Sequence, residues 1–329
     1  MKLSILDPSP VSSNQTAQQA LQNSRALAQM GEKWGYTRYW MTEHHDLPGL
    51  ACSAPEVVLS YIGAHTESIR LGTGAMLLPH YKPFKVAEIH HTLATLFPGR
   101  IDVGMGRAPG GSAEVTNALS DQFLQQVFKM PELVEELLQF LEQDTENNRL
   151  SASPLPDIKP EPWLLGTSKK SSRLAAEKGI AYAFAHFMSD NDGRELIQQY
   201  LKNFQPRKEG DRPKVLVAVS VICADTNEKA NEVALSSLIW SLQKEKGEGK
   251  EEMPSIADAK QYELSDVERQ KLAKMKQKMV IGNRKEVNRE LIEISSKYQT
   301  DEIMVISTTY SLEDILKSYW LISEEVNHS

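Results

Sequence analysis

The chain has 329 residues, of which 40% are hydrophobic and 25% charged, and its net charge is −7. This composition is typical of a globular protein, and it gives no electrostatic reason to expect a nucleic acid or an anionic membrane as partner. The two cysteines, Cys52 and Cys223, lie far apart, which excludes a disulfide framework and a cysteine metal site. No apolar run is long enough for a membrane span or a signal peptide, so we expect a soluble cytoplasmic protein.

Eight short apolar runs, each followed by helical sequence, are predicted as strands. They cover residues 3–6, 38–42, 70–78, 101–106, 163–166, 182–188, 215–223 and 302–307. The helices begin with a capping box at Thr16 and Gln19 and continue at 55–66, 83–98, 132–143, 171–178, 191–204, 227–244 and 312–326. This alternation predicts an α/β fold, a (β/α)8 TIM barrel formed by residues 1–329 as one domain. Polar residues that follow the strands are then the candidates for chemistry.

The connection between the seventh and eighth predicted strands is much longer than the others. Its residues 245–278 are rich in Lys and Glu and poor in aromatic residues. They form either a solvated excursion or a mobile lid over the barrel mouth, where loops commonly contribute to function. Helical patterning resumes after Gly282 and continues to Tyr298.

Arg107 follows the fourth strand, directly after Gly104 and Gly106. The glycines allow a ligand or another backbone to approach, and a guanidinium suits phosphate or carboxylate. A salt bridge at the barrel rim is the alternative interpretation. Pro109 stands where the dinucleotide fingerprint requires its third glycine, so that motif is absent.

A second candidate anion site follows the fifth strand, where Thr167, Ser168 and Ser171 surround two lysines at the start of a helix. Free backbone N–H groups, hydroxyls and positive charge at a helix N-terminus suit a phosphate. Simple N-capping by Ser168 or Ser171 is the alternative. Because this loop and Arg107 follow neighbouring strands, the two together favour a phosphate more than either does alone.

Histidines also follow the predicted strands. His44 and His45 end the second strand and His80 follows the third, which makes them candidates for general acid–base chemistry. The other strand ends lack the His and Asp residues of a metal hydrolase, so no metal site is predicted. His90 and His91 lie within the third helix and are interpreted as structural, with His90 on the apolar face and His91 pointing away.

Glycines also interrupt the third predicted strand, in the stretch Arg70-Leu-Gly-Thr-Gly74-Ala75-Met76. A glycine inside a strand marks either a bulge, a close approach of a ligand, or tight packing in a crowded barrel. The sequence leaves these alternatives open.

Six stretches carry a resemblance to a known family through their order and spacing. They are residues 35–45, 70–79, 83–88, 99–107, 174–179 and 280–283. Together they resemble the bacterial luciferase-like family of flavin-dependent monooxygenases over nearly the whole chain. The resemblance implies reduced FMN as co-substrate, a separate flavin reductase that supplies it, and O2 that forms a C4a-peroxyflavin. A small organic substrate is then oxidised.

The resemblance also implies roles for individual residues. His44 matches the catalytic histidine, and Gly74-Ala75 matches a non-proline cis peptide that packs against the flavin. The phosphate contacts match Arg107, Thr167, Ser168 and Ser171. His45 and Glu88 match positions near a dimer interface, which implies a homodimer, and residues 245–278 match a mobile loop.

Two departures from luciferases proper limit the resemblance. Gly106 replaces a reactive cysteine, and residues 108–111 replace aromatic and acidic residues, which counts against light emission and a long-chain aldehyde substrate. Three alternatives stay open. The first is an oxidoreductase of the same fold that uses the deazaflavin F420 for hydride transfer, and the second is a non-catalytic flavin-binding or partner subunit. The third is a metal hydrolase, against which the missing His and Asp residues count. The substrate is not identified, and its candidate contacts are residues 7–10, 108–112 and 185–187.

Overall fold

The computed structural model describes residues 1–143, 150–190, 192–246 and 252–327. In these ranges the strands are β1 Lys2–Asp7, β2 Arg38–Met41, β3 Arg70–Thr73, β4 Met76–Leu77, β5 Ile101–Gly106, β6 Glu161–Gly166, β7 Ala181–Ala185, β8 Val215–Ala224, β9 Met279–Asn283 and β10 Glu302–Ile306. The helices are α1 Ala17–Lys33, α2 Pro55–Gly63, α3 Pro83–Leu96, α4 Ala113–Leu119, α5 Phe123–Phe128, α6 Met130–Leu141, α7 Lys169–Glu177, α8 Gly193–Asn203, α9 Asn227–Lys246, α10 Ile256–Gln261, α11 Asp266–Lys276, α12 Arg284–Tyr298 and α13 Leu312–Asn327.

The strands form the predicted TIM barrel. All their pairings are parallel, in the order β10-β1-β2-β3-β5-β6-β7-β8, and the barrel closes because β8 also pairs with β10. β3 and β4 share one position, since both pair with β5. A large apolar cluster is buried between the strands and the surrounding helices. In the part of the chain that the structure describes, no helix is both long and apolar enough to cross a membrane.

The third predicted strand is not continuous, so the prediction of one strand over residues 70–78 is wrong. β3 ends at Thr73, and the Gly74–Ala75 peptide bond before β4 is cis, as the resemblance implies. The Thr73 side chain takes the place of backbone hydrogen bonds between the strands here. Its Oγ1 donates to the Gly104 carbonyl at 2.9 Å and accepts from the Gly104 N–H at 3.1 Å. A Cβ atom at Gly104 would lie 1.9 Å from the Thr73 carbonyl oxygen, so this glycine is required for packing.

The long connection after β8 contains α10, α11 and then β9. β9 pairs with Ser220–Ala224 of β8, beyond the part of β8 that pairs with β7. The sequence analysis predicts no strand at this position, because the apolar run Met279-Val-Ile281 is too short to reveal one. The charged residues 245–278 are thus largely helical where the structure describes them, and residues 247–251 lie outside the described ranges.

Buried charges fill the end of the barrel at which the strands begin. Arg38 donates to Asp102 and to Glu302, in each case at 2.8 Å, and Arg70 also donates to Asp102. Burial acts to raise the pKa of Glu161, but attraction to cations led by Arg38 outweighs it, so this pKa lies below its ordinary value. Because these charges are partners of one another, removing any one of them would leave a buried charge unpaired and destabilise the barrel.

Both histidines of α3 are fully buried, so the prediction that His91 points away is wrong. His91 Nδ1 donates to the Ala152 carbonyl at 2.7 Å, which fastens α3 to the segment before β6. His90 Nδ1 donates to the Val86 carbonyl of its own helix at 2.8 Å. Sequence periodicity misses the role of His91 because the segment that covers it lies 61 residues further along the chain.

Candidate active site

A cavity of about 840 Å³ opens at the end of the barrel where the strands finish. It falls within the size range of small-molecule sites. The residues predicted as site residues all line it: His44, Gly74, Ala75, Arg107, Thr167, Ser168 and Ser171. The fold therefore brings together, around one cavity, side chains that are up to 127 positions apart (residues 44 and 171) in the sequence.

Arg107 and the start of α7 form the polar corner of this cavity. Arg107 Nη2 donates to Ser168 Oγ at 3.2 Å, and Arg107 is exposed with no carboxylate partner among the described residues. Ser168 is the N-cap of α7 and forms a capping box with Ser171. The capping interpretation is therefore correct, and it leaves the anion interpretation open because the helix start still presents backbone N–H groups beside an unpaired guanidinium.

His44 lies directly after β2, at the cavity wall. Its backbone N–H donates to the Cys52 carbonyl at 3.0 Å, and its Nδ1 shares a 3.0 Å hydrogen bond with Thr42 Oγ1. Burial first, and then repulsion from Lys244 and His45, lower the pKa of His44 to about 4. The imidazole is therefore neutral near pH 7, and no described residue is bonded to its Nε2.

Glu43 fixes the backbone behind His44, a role that the sequence analysis did not predict. Its carboxylate accepts hydrogen bonds from the Leu77 N–H at 3.0 Å, from the Tyr81 hydroxyl at 2.7 Å and from His45 Nε2 at 2.8 Å. These bonds tie the end of β2 to β4 and its following turn. The signal in the sequence is an acidic residue directly after a buried strand, where an unpaired charge would be costly.

Two of the histidines predicted as acid–base candidates do not line the cavity. His45 is buried against Glu43 and donates its backbone N–H to the Gly110 carbonyl at 2.8 Å. His80 Nε2 donates to the Pro109 carbonyl at 2.9 Å, and its ring stacks on Phe123. Both therefore hold the loop after β5 in place. In the described ranges, no cluster of three or more His, Cys, Asp or Glu residues has the geometry of a metal site.

The rest of the cavity is mainly apolar. Of the predicted substrate contacts, Pro8, Ala108, Gly110, Ala185 and Phe187 line it. Asp7 does not, because it is buried in a hydrogen bond with the Tyr39 hydroxyl, and His186 bonds to the Tyr298 hydroxyl at 3.0 Å. α9, α11, the connection to β9 and β9 itself also contribute, and they supply Trp240, Lys244, Met275, Lys278 and Met279. The sequence analysis places residues 245–278 over the barrel mouth as one of two alternatives, and it predicts no cavity contact from α9.

Comparison with known proteins gives consistent matches. The sequence profile of the luciferase-like monooxygenases matches residues 1–298. The N-acetyl-S-alkylcysteine monooxygenase of Bacillus subtilis (strain 168) is 34% identical to this chain, over 99% of this chain and 98% of its own length. The crystal structure of apo-MsnO8 has a TM-score of 0.92 and 31% identity, and the match covers 100% of this chain and 99% of that one.

A more distant structure shares the fold. It is the oxygenating constituent of 3,6-diketocamphane monooxygenase from Pseudomonas putida, a type II Baeyer–Villiger monooxygenase solved in complex with FMN. Its TM-score is 0.72 at 18% identity, with coverage of 99% of this chain and 97% of that chain. At this identity the similarity concerns the barrel alone.

Proposed function

The chain belongs to the luciferase-like monooxygenase family, whose members are oxidoreductases, and we propose that it is an FMN-dependent monooxygenase of a small organic substrate. A separate flavin reductase supplies the reduced FMN, and the enzyme acts as a homodimer. The observation that supports the proposal best is the placement of Arg107 and His44 around one largely apolar cavity, with the Gly74–Ala75 bond also at its wall.

The residues present fit FMN. Arg107, Thr167, Ser168 and Ser171 would hold the phosphate, because a guanidinium without a carboxylate partner and a helix N-terminus both favour an anion. Gly74 and Ala75 would back the ring system, and neighbouring apolar side chains such as Leu6 and Trp40 would exclude water from it. A non-phosphorylated flavin would leave the Arg107 corner unused.

His44 is the proposed proton-transfer group. The bound flavin supplies the electrons that activate O2 at its C4a carbon. In the tautomer whose Nδ1–H donates to Thr42 Oγ1, neutral His44 carries its lone pair on Nε2 and would accept a proton there. The same atom would then give this proton back, which restores the neutral ring.

Cofactor titration and oxygen labelling test the proposal against its alternatives. We expect anaerobic titrations to show tighter binding of reduced FMN than of reduced F420. Mixing the FMN complex with ¹⁸O2 and a panel of small thioethers, ketones and carboxylates should then place one labelled oxygen atom in a product. Tighter binding of F420 would favour the hydride-transfer alternative. FMN binding that yields only hydrogen peroxide with the whole panel would favour the non-catalytic alternative.

A further inference from the structure

The cavity contains a second cation that no anionic side chain among the described residues neutralises. Most charged side chains at its wall are paired within the protein: Lys278 with Asp190, and Glu245 with Lys271. Arg107 has only the Ser168 hydroxyl as partner. Lys244 forms no ion pair and no hydrogen bond with any described residue, although its side chain lines the cavity.

Lys244 faces the reactive side of the cavity rather than the Arg107 corner. It lies in the last turns of α9, and its Nζ is 4.3 Å from the centroid of the Trp240 ring. Its charge contributes to lowering the pKa of His44, whereas Arg107 is not among the charges that do so. The ammonium therefore interacts electrostatically with His44, and a phosphate bound at Arg107 would use a different cation.

The surroundings of Lys244 favour an anion with an apolar body. Partial desolvation lowers the pKa of Lys244 itself, so the ammonium lacks part of its hydration and gains no counter-charge from the described residues. Trp240, whose ring the ammonium contacts, lines the cavity together with Met275 and Met279, which belong to α11 and β9 and pack against α9. A ligand that places an anionic group on Lys244 would thus bury its remaining atoms against apolar side chains.

We propose that Lys244 is the anion-binding residue of the substrate site, and that the substrate is an organic carboxylate whose apolar part extends towards His44. This inference rests on the proposed function, because it assigns the Arg107 corner to the FMN phosphate and the Lys244 side to the substrate. The carboxylate accepts hydrogen bonds from the ammonium and fixes which end of the substrate reaches the reactive side.

Matched acid and amide probes test this assignment without turnover. The probes are hexanoate and octanoate with hexanamide and octanamide, and binding is measured by calorimetry in the FMN-loaded protein and in the FMN-free protein. We expect the wild type to bind each acid about tenfold or more tightly than its amide. Lys244→Met should abolish that preference, Lys244→Arg should retain it, and Lys274→Met, an exposed lysine of α11 outside the cavity, should leave it unchanged.

The outcomes separate the two proposals. FMN binding should be the same in Lys244→Met as in the wild type. If the wild type failed to bind FMN but still preferred acids through Lys244, the proposed function would fail and the anion site would stand. If the wild type showed no preference for the acids, no binding of any probe, or a preference that survives in Lys244→Met, the anion site would be wrong while the proposed function stood.

Discussion

At the scale of single residues, the chemistry of His44 is set by what surrounds it. Burial is the main reason that its pKa falls to about 4, and Lys244 and His45 add repulsion. A neutral imidazole both donates and accepts hydrogen bonds. Thr42 holds its Nδ1, so the opposite ring nitrogen is the one that meets a ligand. His44 is thus neutral near pH 7 and can accept a proton without first losing one.

Replacing His44 should separate binding from turnover. In His44→Ala we expect reduced FMN to bind nearly as in the wild type, because the phosphate contacts lie elsewhere, while turnover falls by ~10²-fold or more. The measurement is substrate-dependent O2 consumption with a coupled flavin reductase. His65→Ala removes an exposed histidine at the end of α2 and should keep full activity. Full activity in His44→Ala would remove His44 from the mechanism.

At the scale of elements, the sequence predicts those caps and strand bounds that depend on neighbouring residues. The capping box at Thr16 and Gln19 and the bounds of β5 are found as predicted, and Arg107 and Ser168 take their places because they directly follow strands. The break after Thr73 and the strand β9 depend on distant partners, Gly104 and β8, which no local pattern reveals. For the same reason, the sequence does not show that α9 extends Lys244 over the cavity.

The junction of β9 and α12 offers a test at this scale. Asn283 caps α12, since its Oδ1 accepts the N–H groups of Lys285 at 3.0 Å and Glu286 at 3.2 Å. Asn283→Ala should lower the free energy of unfolding by about 1 kcal/mol, measured by urea denaturation. Lys285→Ala, at an exposed position of the same turn, should change it by less than ~0.5 kcal/mol. Equal effects would place the start of the helix elsewhere.

At the scale of the whole molecule, the two ends of the barrel have different roles. The end where the strands begin is closed by paired buried charges around Arg38 and Asp102. The end where they finish contains the cavity, with cations at Arg107 and Lys244 that have no carboxylate partner among the described residues. Charges are thus neutralised within the protein at one end, and the electrostatic preference for anionic ligands lies at the other.

Acid should destabilise the whole fold through its buried histidines. Burial lowers the pKa of His90 from 6.5 to about 4, so between these values the unfolded chain binds a proton that the folded chain does not. The contribution of His90 is complete above pH 6.5 and declines as the pH falls towards 4. In His90→Phe, the slope of unfolding free energy against pH near about pH 5.5 should fall by about 1 kcal/mol per pH unit.

The control for this effect lies within the same titration. Above about pH 7.5, His90 is neutral in both states, so the slopes of the wild type and of His90→Phe should coincide there. Urea denaturation at a series of pH values measures both regions. An unchanged slope near about pH 5.5 would mean that His90 is protonated in the folded protein.

The claim that Arg107 and the start of α7 hold a flavin phosphate is tested most directly by one anaerobic titration series. Reduced FMN and reduced riboflavin are titrated into the wild type, into Arg107→Ala and into Arg289→Ala, an arginine of α12 outside the cavity that serves as a charge control. We predict that Arg107→Ala weakens FMN binding by roughly 10- to 100-fold and leaves riboflavin binding unchanged. An equal loss for both flavins, or no loss for FMN, would contradict the account.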